Sequence, residues 1–564
     1  MHFVDAGPAR SFANVTRYST RLADWTFLFV AVFTVAYFLL THEGLYALDD
    51  YFYSRYAHQV LTGTFQLAPD PEGLLHDPLK ERPLIFGPVA LCYALFGINI
   101  ISTTLWPLLA TLGCAGILWK LYRRDEPLVA ATAMLLLGLH YFTLNLTNYL
   151  YPDNILMFWC LAGAATLLTG RHRPRNGVAW GVGFAVLSFA ALLSKETITY
   201  YVPFYLAVLG CDAYRRKNGR FWLAAVGSGT ALLAGYLAFY QIFTNDAFYR
   251  IHLIENTNNF LKEGNYLEGN HSALLARLTW QPFTFFLGIG LGPLLVLAGR
   301  ALFPDNVPSE PDRQFWLGLG FSALAFYWLG STSISQYNPI TLLPRMTTPL
   351  LPPLALAAGF GLRQLLQTGR GLGLVGLLLL AGGGWLHNSL SVLYGGLGLC
   401  FVGLALALRW QRRPAWLQLG APALVGCTLV VLAGSLALRP TYFMTKPSVS
   451  AHFAQERVIR RQLQAPARGV VFVDDYLIGN YDFYYGYRVP AGLQYRRYWA
   501  RDSVRLAPGQ RAWLLLNRST LSNDELTRKL IRYSPDSVLS WFPRRHLLAH
   551  DGQVELYQVK LASQ

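Results

Sequence analysis

Residues Trp25–Asp50 read WTFLFVAVFTVAYFLLTHEGLYALDD. The run Trp25–Leu40 holds no charge, and two adjacent carboxylates, Asp49 and Asp50, follow it closely. A membrane-spanning helix needs about 20 mostly apolar residues, so this run reads as a span that ends just short of an acidic loop. Arg10, Arg17 and Arg21 precede it, and no small-residue cleavage site follows. That pattern predicts a signal anchor that stays in the protein, with its N-terminus cytoplasmic.

Working outward, similar runs recur at Ile101–Leu121, Leu128–Phe142, Asn154–Thr169, Val178–Leu193, Tyr200–Gly210 and Phe221–Phe243. Others follow at Pro282–Ala298, Phe315–Leu329, Thr348–Leu362, Leu372–Leu386, Leu390–Leu408 and Leu417–Leu438. The fold class predicted is an α-helical polytopic membrane protein of about thirteen spans. Leu84–Phe96 is apolar but short, and reads as a re-entrant or interfacial helix. Only 14% of residues are charged, against about 25% in soluble domains, so much of the surface never meets water. The net charge of +16 then reflects membrane topology rather than a nucleic-acid partner.

The loops agree with that topology. Basic residues gather in the loops expected inside: Lys120, Arg123 and Arg124; Arg171, Arg173 and Arg175; Arg215, Arg216, Lys217 and Arg220. Arg300, Arg313, Arg363, Arg370, Arg409, Arg412 and Arg413 continue the series. The loops expected outside are richer in acids: Asp49, Asp50, Asp153, Glu196, Glu255 and Glu263. After Pro440 the composition turns polar. Strand-like runs at Val470–Val473, Trp513–Leu516 and Val554–Val559, with a helix-like stretch Asp524–Arg532, predict a small extramembrane α/β domain. The domain reading is thus 1–440 in the membrane, with an outer loop at 42–83, and 441–564 outside. Asp474 and Asp475 end a strand there and read mainly as the start of a loop.

The residues that carry chemistry sit at the outer ends of spans, where charge is costly and tends to be functional or paired. Asp49 and Asp50 are candidate catalytic carboxylates, suited to general-base work; the bland alternative is a helix cap. Arg82, just before the short apolar helix, is a candidate lipid-phosphate contact. Asp153 starts the fourth span. Lys195 and Glu196 end the fifth, where Lys195 either binds phosphate or neutralises Glu196. Arg345, ahead of Pro349, Pro352 and Pro353, is a second candidate phosphate clamp. Asp49, Asp50 and Asp153, with His42, are candidates to share a divalent cation, since hard cations favour carboxylates.

This arrangement resembles the GT-C glycosyltransferases of the protein O-mannosyltransferase and lipid A aminoarabinose transferase group, over roughly Trp25–Leu366. Asp49-Asp50 with Gly63 looks like the family's Asp-Glu motif. Arg82-Pro83 with Tyr93–Gly97 looks like its Lys-Pro-Pro segment and juxtamembrane helix. Tyr151-Pro152-Asp153 matches a second acidic position, and Pro344-Arg345 with the later prolines looks like its Arg-Tyr span. Asp50 stands in place of Glu, Arg82 in place of Lys and Met346 in place of Tyr; one Pro is missing. The resemblance implies a catalytic first outer loop and a polyprenyl-phosphate sugar donor, with Asp49 at the catalytic acidic position.

The expected function is inverting transfer of a sugar from that donor to a hydroxyl of a lipid, glycan or protein acceptor. Membrane lipids are the other expected partners. The location expected is a bacterial inner membrane, with the C-terminal domain periplasmic. A lipid-linked glycan ligase or polymerase is the nearest alternative, but it would need a large late outer loop. A transporter or flippase would place charges near the midplane on repeated broken helices, and an inert scaffold is the bland reading.

Overall fold

The computed structural model describes residues 20–45, 48–68, 78–261, 271–303, 310–410, 421–446, 451–522 and 533–561. Arg10, Arg17, Glu263, Arg412, Arg413 and the stretch Asp524–Arg532 lie outside the described residues. The chain divides into two compact units. The first comprises Met1–Leu40, Pro107–Thr147 and Pro152–Thr445; the second comprises Thr41–Trp106, Asn148–Tyr151 and Lys446–Gln564.

The first unit is helical. Among the described residues, seven helices are long and apolar enough to cross a membrane: Thr20–Thr41, Ile100–Tyr122, Pro152–His172, Pro174–Ser194, Gly219–Thr244, Leu390–Leu408 and Ala423–Thr445. Two bent pairs raise the number to nine. One is Pro127–Gly138 with Tyr141–Asn148, bent by 62°; the other is Gln281–Gly288 with Gly292–Arg300, bent by 106°. The runs expected as continuous spans at Leu128–Phe142 and Pro282–Ala298 are therefore broken. The second break falls at Gly290, whose φ of +84° is a conformation that costs glycine little. The remaining expected spans are helical but shorter or more polar. Val202–Tyr214 and Leu372–Leu386 are short. Pro311–Leu329 opens on Asp312 and Arg313, and Leu351–Thr368 carries Arg363 and Gln364.

Leu351–Thr368 is buried along nearly its whole length, as is Pro127–Gly138. Small residues make that possible, because without a Cβ two helix backbones can approach closely. A Cβ on Gly361 would lie 1.9 Å from the Leu297 carbonyl oxygen, and one on Gly359 would lie 2.8 Å from that of Val129. The charge on Arg363 is matched by Glu126 and Glu310, to both of which its guanidinium donates. Asp24 with Arg123 and Asp212 with Arg171 pair in the same way. Several basic residues that the positive-inside pattern singles out thus also hold neighbouring segments together.

The second unit is built on a five-stranded sheet of order β2-β1-β3-β5-β4. The strands are β1 (Gly469–Val473), β2 (Leu493–Arg497), β3 (Arg511–Asn517), β4 (Arg545–Asp551) and β5 (Val554–Val559). β1 runs parallel to β2 and β3, and β5 runs antiparallel to β3 and β4. Successive side chains of a strand face opposite ways, so β1 and β3 feed two cores. Phe472, Leu514 and Leu516 pack on one face with Leu45, Tyr51, Val538 and Phe542. Val471, Val473, Trp513 and Leu515 pack on the other, against Val458 and Ile459 of the helix Ala451–Gln462. The three strand-like runs of the sequence are all strands. The Asp474 carboxylate accepts from the backbone N–H groups of Tyr476 and Leu477, so it shapes the loop after β1. Asp475 is held by Arg497 and the Tyr533 hydroxyl.

Candidate active site

In the second unit the aspartate pair opens the helix Leu48–Thr62, in its first turn. Carboxylates there are favoured by the unpaired N–H groups and the positive end of the helix dipole. The two acids do different things. Asp50 is fully buried, and its Oδ1 accepts the Leu150 N–H at 2.7 Å, which ties the helix to the segment Asn148–Tyr151. Asp49 is half-buried and lies one helical turn before Tyr53, on the same face.

Tyr53 is the meeting point. Its hydroxyl accepts from Arg82 Nη1 at 3.1 Å, and Arg82 Nε lies 3.3 Å from Glu81 Oε1. Burial raises the Tyr53 hydroxyl far above its ordinary range; Arg82 opposes that rise, while Asp49 and Glu81 add to it. Asp49, Glu81 and Arg82 therefore all lie within electrostatic reach of one buried phenol. Lys80 sits beside the group, its Nζ donating to the Ala68 carbonyl and lying 5.8 Å from the Tyr56 ring centre.

The C-terminal residues of this unit hold the other side of the helix. The Tyr51 hydroxyl lies 3.0 Å from His452 Nδ1 and 3.0 Å from the Tyr484 hydroxyl. Ser54 bonds the Tyr487 hydroxyl at 2.7 Å, and Arg55 lies 3.7 Å from Asp482. Burial lowers the His452 imidazole to about 3, with His42 adding to the effect. Gly44 is required next to that ring: its φ is +86°, and a Cβ there would come within 2.4 Å of the imidazole. His42 bonds Thr104 through Nε2 and accepts the Gly44 N–H through Nδ1.

In the first unit, Asp153 and Lys195 form a buried pair. Lys195 Nζ donates to Asp153 Oδ1 at 2.7 Å, and the two side chains are 4% and 1% exposed. The Met346 sulfur lies 3.2 Å from the same ammonium, which puts the segment bearing Arg345 next to Lys195. Thr348 donates to the Asp153 carbonyl. Glu196 Oε2 lies 3.2 Å from Arg250 Nη2, while Lys195 pairs with Asp153. Asp49, Asp50 and Arg82 thus belong to the second unit; Asp153, Lys195, Glu196 and Arg345 belong to the first. Sequence reasoning passed over Tyr53 and Arg250 as site residues. The signal for Tyr53 was its spacing of one turn from Asp49; Arg250 had none.

Among the described residues no group of three or more His, Cys, Asp or Glu side chains is placed to hold a metal ion.

The chain thus combines a unit of apolar helices with a second unit built on a small mixed sheet, and solved structures share its fold. The crystal structure of ArnT from Cupriavidus metallidurans bound to undecaprenyl phosphate is similar over 96% of this chain and 98% of that one, with 16% identity and a TM-score of 0.56. ArnT from the same organism in the apo state is similar over 95% and 98%, with 18% identity and a TM-score of 0.52. Residues 80–238 match the family described as dolichyl-phosphate-mannose-protein mannosyltransferase. No curated protein matches the chain.

Proposed function

We propose that this protein is a glycosyltransferase that moves a sugar from a polyprenyl-phosphate donor to an acceptor hydroxyl, with inversion at the anomeric carbon. The observation that carries the reading is Arg82 donating to the buried Tyr53 hydroxyl, with Asp49 one helical turn before Tyr53 and within electrostatic reach of it. A base and a phosphate-matching cation held in one environment are what this displacement requires. ArnT, of similar fold, has been crystallised with undecaprenyl phosphate, which supports a lipid phosphate as the leaving group.

In the proposed step the acceptor O–H gives its proton to the Asp49 carboxylate, and its oxygen forms a bond to the anomeric carbon. The bond from that carbon to the phosphate oxygen breaks, and its electron pair leaves with the polyprenyl phosphate. The transition state is oxocarbenium-like. Arg82 offsets the charge that develops on the phosphate, and Tyr53 and Glu81 fix its guanidinium. Asp50 acts as a positioning residue through its bond to the Leu150 N–H. Asp153, Lys195, Glu196 and Arg345 are proposed as substrate-binding residues of the membrane unit. The location proposed is a bacterial inner membrane, with a cytoplasmic N-terminus and the C-terminal domain outside.

The test is mass spectrometry of envelope lipids and glycoproteins from cells with and without the protein. One acceptor class is expected to lose a sugar while the polyprenyl-phosphate sugar accumulates. An unchanged set of acceptors and donors would remove the proposal.

A further inference from the structure

The first unit holds a partly open cavity of about 470 Å³ lined by none of the candidate site residues. Four pieces of chain meet there: the break after Pro127–Gly138, the bend at Gly290, the start of Leu390–Trp410 and the end of Ala421–Thr445. Its volume falls in the range of small-molecule sites. Leucines such as Leu390, Leu393 and Leu436 make much of its wall, and its lining is mainly apolar.

Among the described residues, two polar groups in that lining have no hydrogen-bond partner of normal geometry. The Arg439 guanidinium lies 4.0 Å from the ring centre of Tyr141 and 5.7 Å from that of Phe142. Stacking of this kind covers the face of the group and leaves its N–H edge open. Among the described residues no carboxylate pairs with Arg439, and no acceptor takes its N–H groups. His140 also lines the cavity and is 3% exposed. Among the described residues neither of its ring nitrogens has a hydrogen-bond partner of normal geometry; the Ile289 backbone and Arg439 lie within electrostatic reach of the ring. A cation and an unbonded imidazole at an apolar cavity are costly unless something anionic completes them.

We propose that this cavity binds the phosphate headgroup of a membrane lipid. Arg439 contacts the phosphate oxygens, an N–H of His140 donates to the headgroup, and the lipid chains lie along the leucine wall. A fork of N–H donors matches phosphate oxygens, and basic pockets between transmembrane helices suit lipid headgroups. A free anion would satisfy Arg439 but leave the apolar wall without a partner. This site is separate from the proposed sugar transfer and does not depend on it.

The test uses the full chain in detergent micelles, with Arg82→Gln throughout so that the proposed donor-phosphate residue contributes nothing. Native mass spectrometry measures retention of dioleoyl phosphatidic acid, with dioleoylglycerol as the neutral control of the same chains. Phosphatidic acid is expected to bind about tenfold more tightly or better than the neutral lipid. Arg439→Gln should abolish that preference, and Arg439→Lys should keep most of it. Val392→Trp, which fills the cavity and keeps the cation, should weaken binding of the lipid. Three results would each overturn the proposal: equal retention of the two lipids, an Arg439→Gln variant that folds and keeps the preference, or displacement of the lipid by an equal concentration of inorganic phosphate. The last would mark a free-phosphate site.

Discussion

Lys195 and Asp153 show how a buried charge constrains substitution. Removing one partner leaves the other charged in a dry environment, which costs about 3–5 kcal/mol, whereas removing both costs far less. Lys195→Met is therefore expected to lower the thermal midpoint in detergent markedly, and Lys195→Met with Asp153→Leu to recover most of it. A double variant no more stable than the single one would show that the pair is not the unit of stability. At His452 the prediction concerns pH. Burial holds the folded imidazole near 3 against an ordinary 6.5, so the unfolded chain takes the proton first. Its contribution to stability should be lost as pH falls from 6.5 towards 3. Asp474 acts in the opposite sense: burial raises its carboxyl from 3.8 to about 6, so its contribution fades as pH rises through that window. The check is the thermal midpoint of wild type and His452→Gln across this range. The variant should lose less stability on acidification; parallel curves would contradict the assignment. Little of this was legible beforehand. The acids and bases stood out because charge at the end of an apolar run is conspicuous, but Asp153 and Lys195 lie 42 residues apart and no spacing rule joins them.

At the scale of elements, Leu351–Thr368 depends on glycine. Gly361→Ala would drive a methyl into the Leu297 carbonyl, and the backbone must move to relieve it. Overpacking of this kind costs about 1–3 kcal/mol, which a lowered midpoint in detergent would register; an unchanged midpoint would mean the helices can separate at no cost. The helix Leu48–Thr62 depends instead on its covering of tyrosines. Tyr51→Phe removes the hydroxyl shared with His452 and Tyr484, leaving those two groups bonded to each other. Hydropathy made most helices legible because an uncharged run of span length has few other uses. It missed the bends, which rest on single residues such as Gly290 and on packing around His140. β2 and β4 were illegible for a different reason. They are the edges of the sheet, β4 is largely exposed, and both carry charged residues that hide the alternation.

The molecule as a whole has a membrane unit and a second unit in which chain from the early loop and from the C-terminus share one core. Leu45 and Tyr51 pack with Phe472 and Leu514, so the sheet is part of the structure that holds the acidic helix. The sequence placed a domain boundary near residue 440 from the change in composition. It gave no sign that 41–106 belongs with the residues beyond it, because that association lies in tertiary contacts between segments some 400 residues apart in the chain. The central claim is that this whole arrangement serves sugar transfer with Asp49 as the base. It is tested most directly with purified protein in lipid nanodiscs, the polyprenyl-phosphate sugar and the acceptor identified in cells, and wild type against Asp49→Asn at equal amounts. Wild type should release polyprenyl phosphate as the sugar appears on the acceptor, and Asp49→Asn should slow this by about 10²–10⁴-fold. Turnover by Asp49→Asn at the wild-type rate would contradict the account.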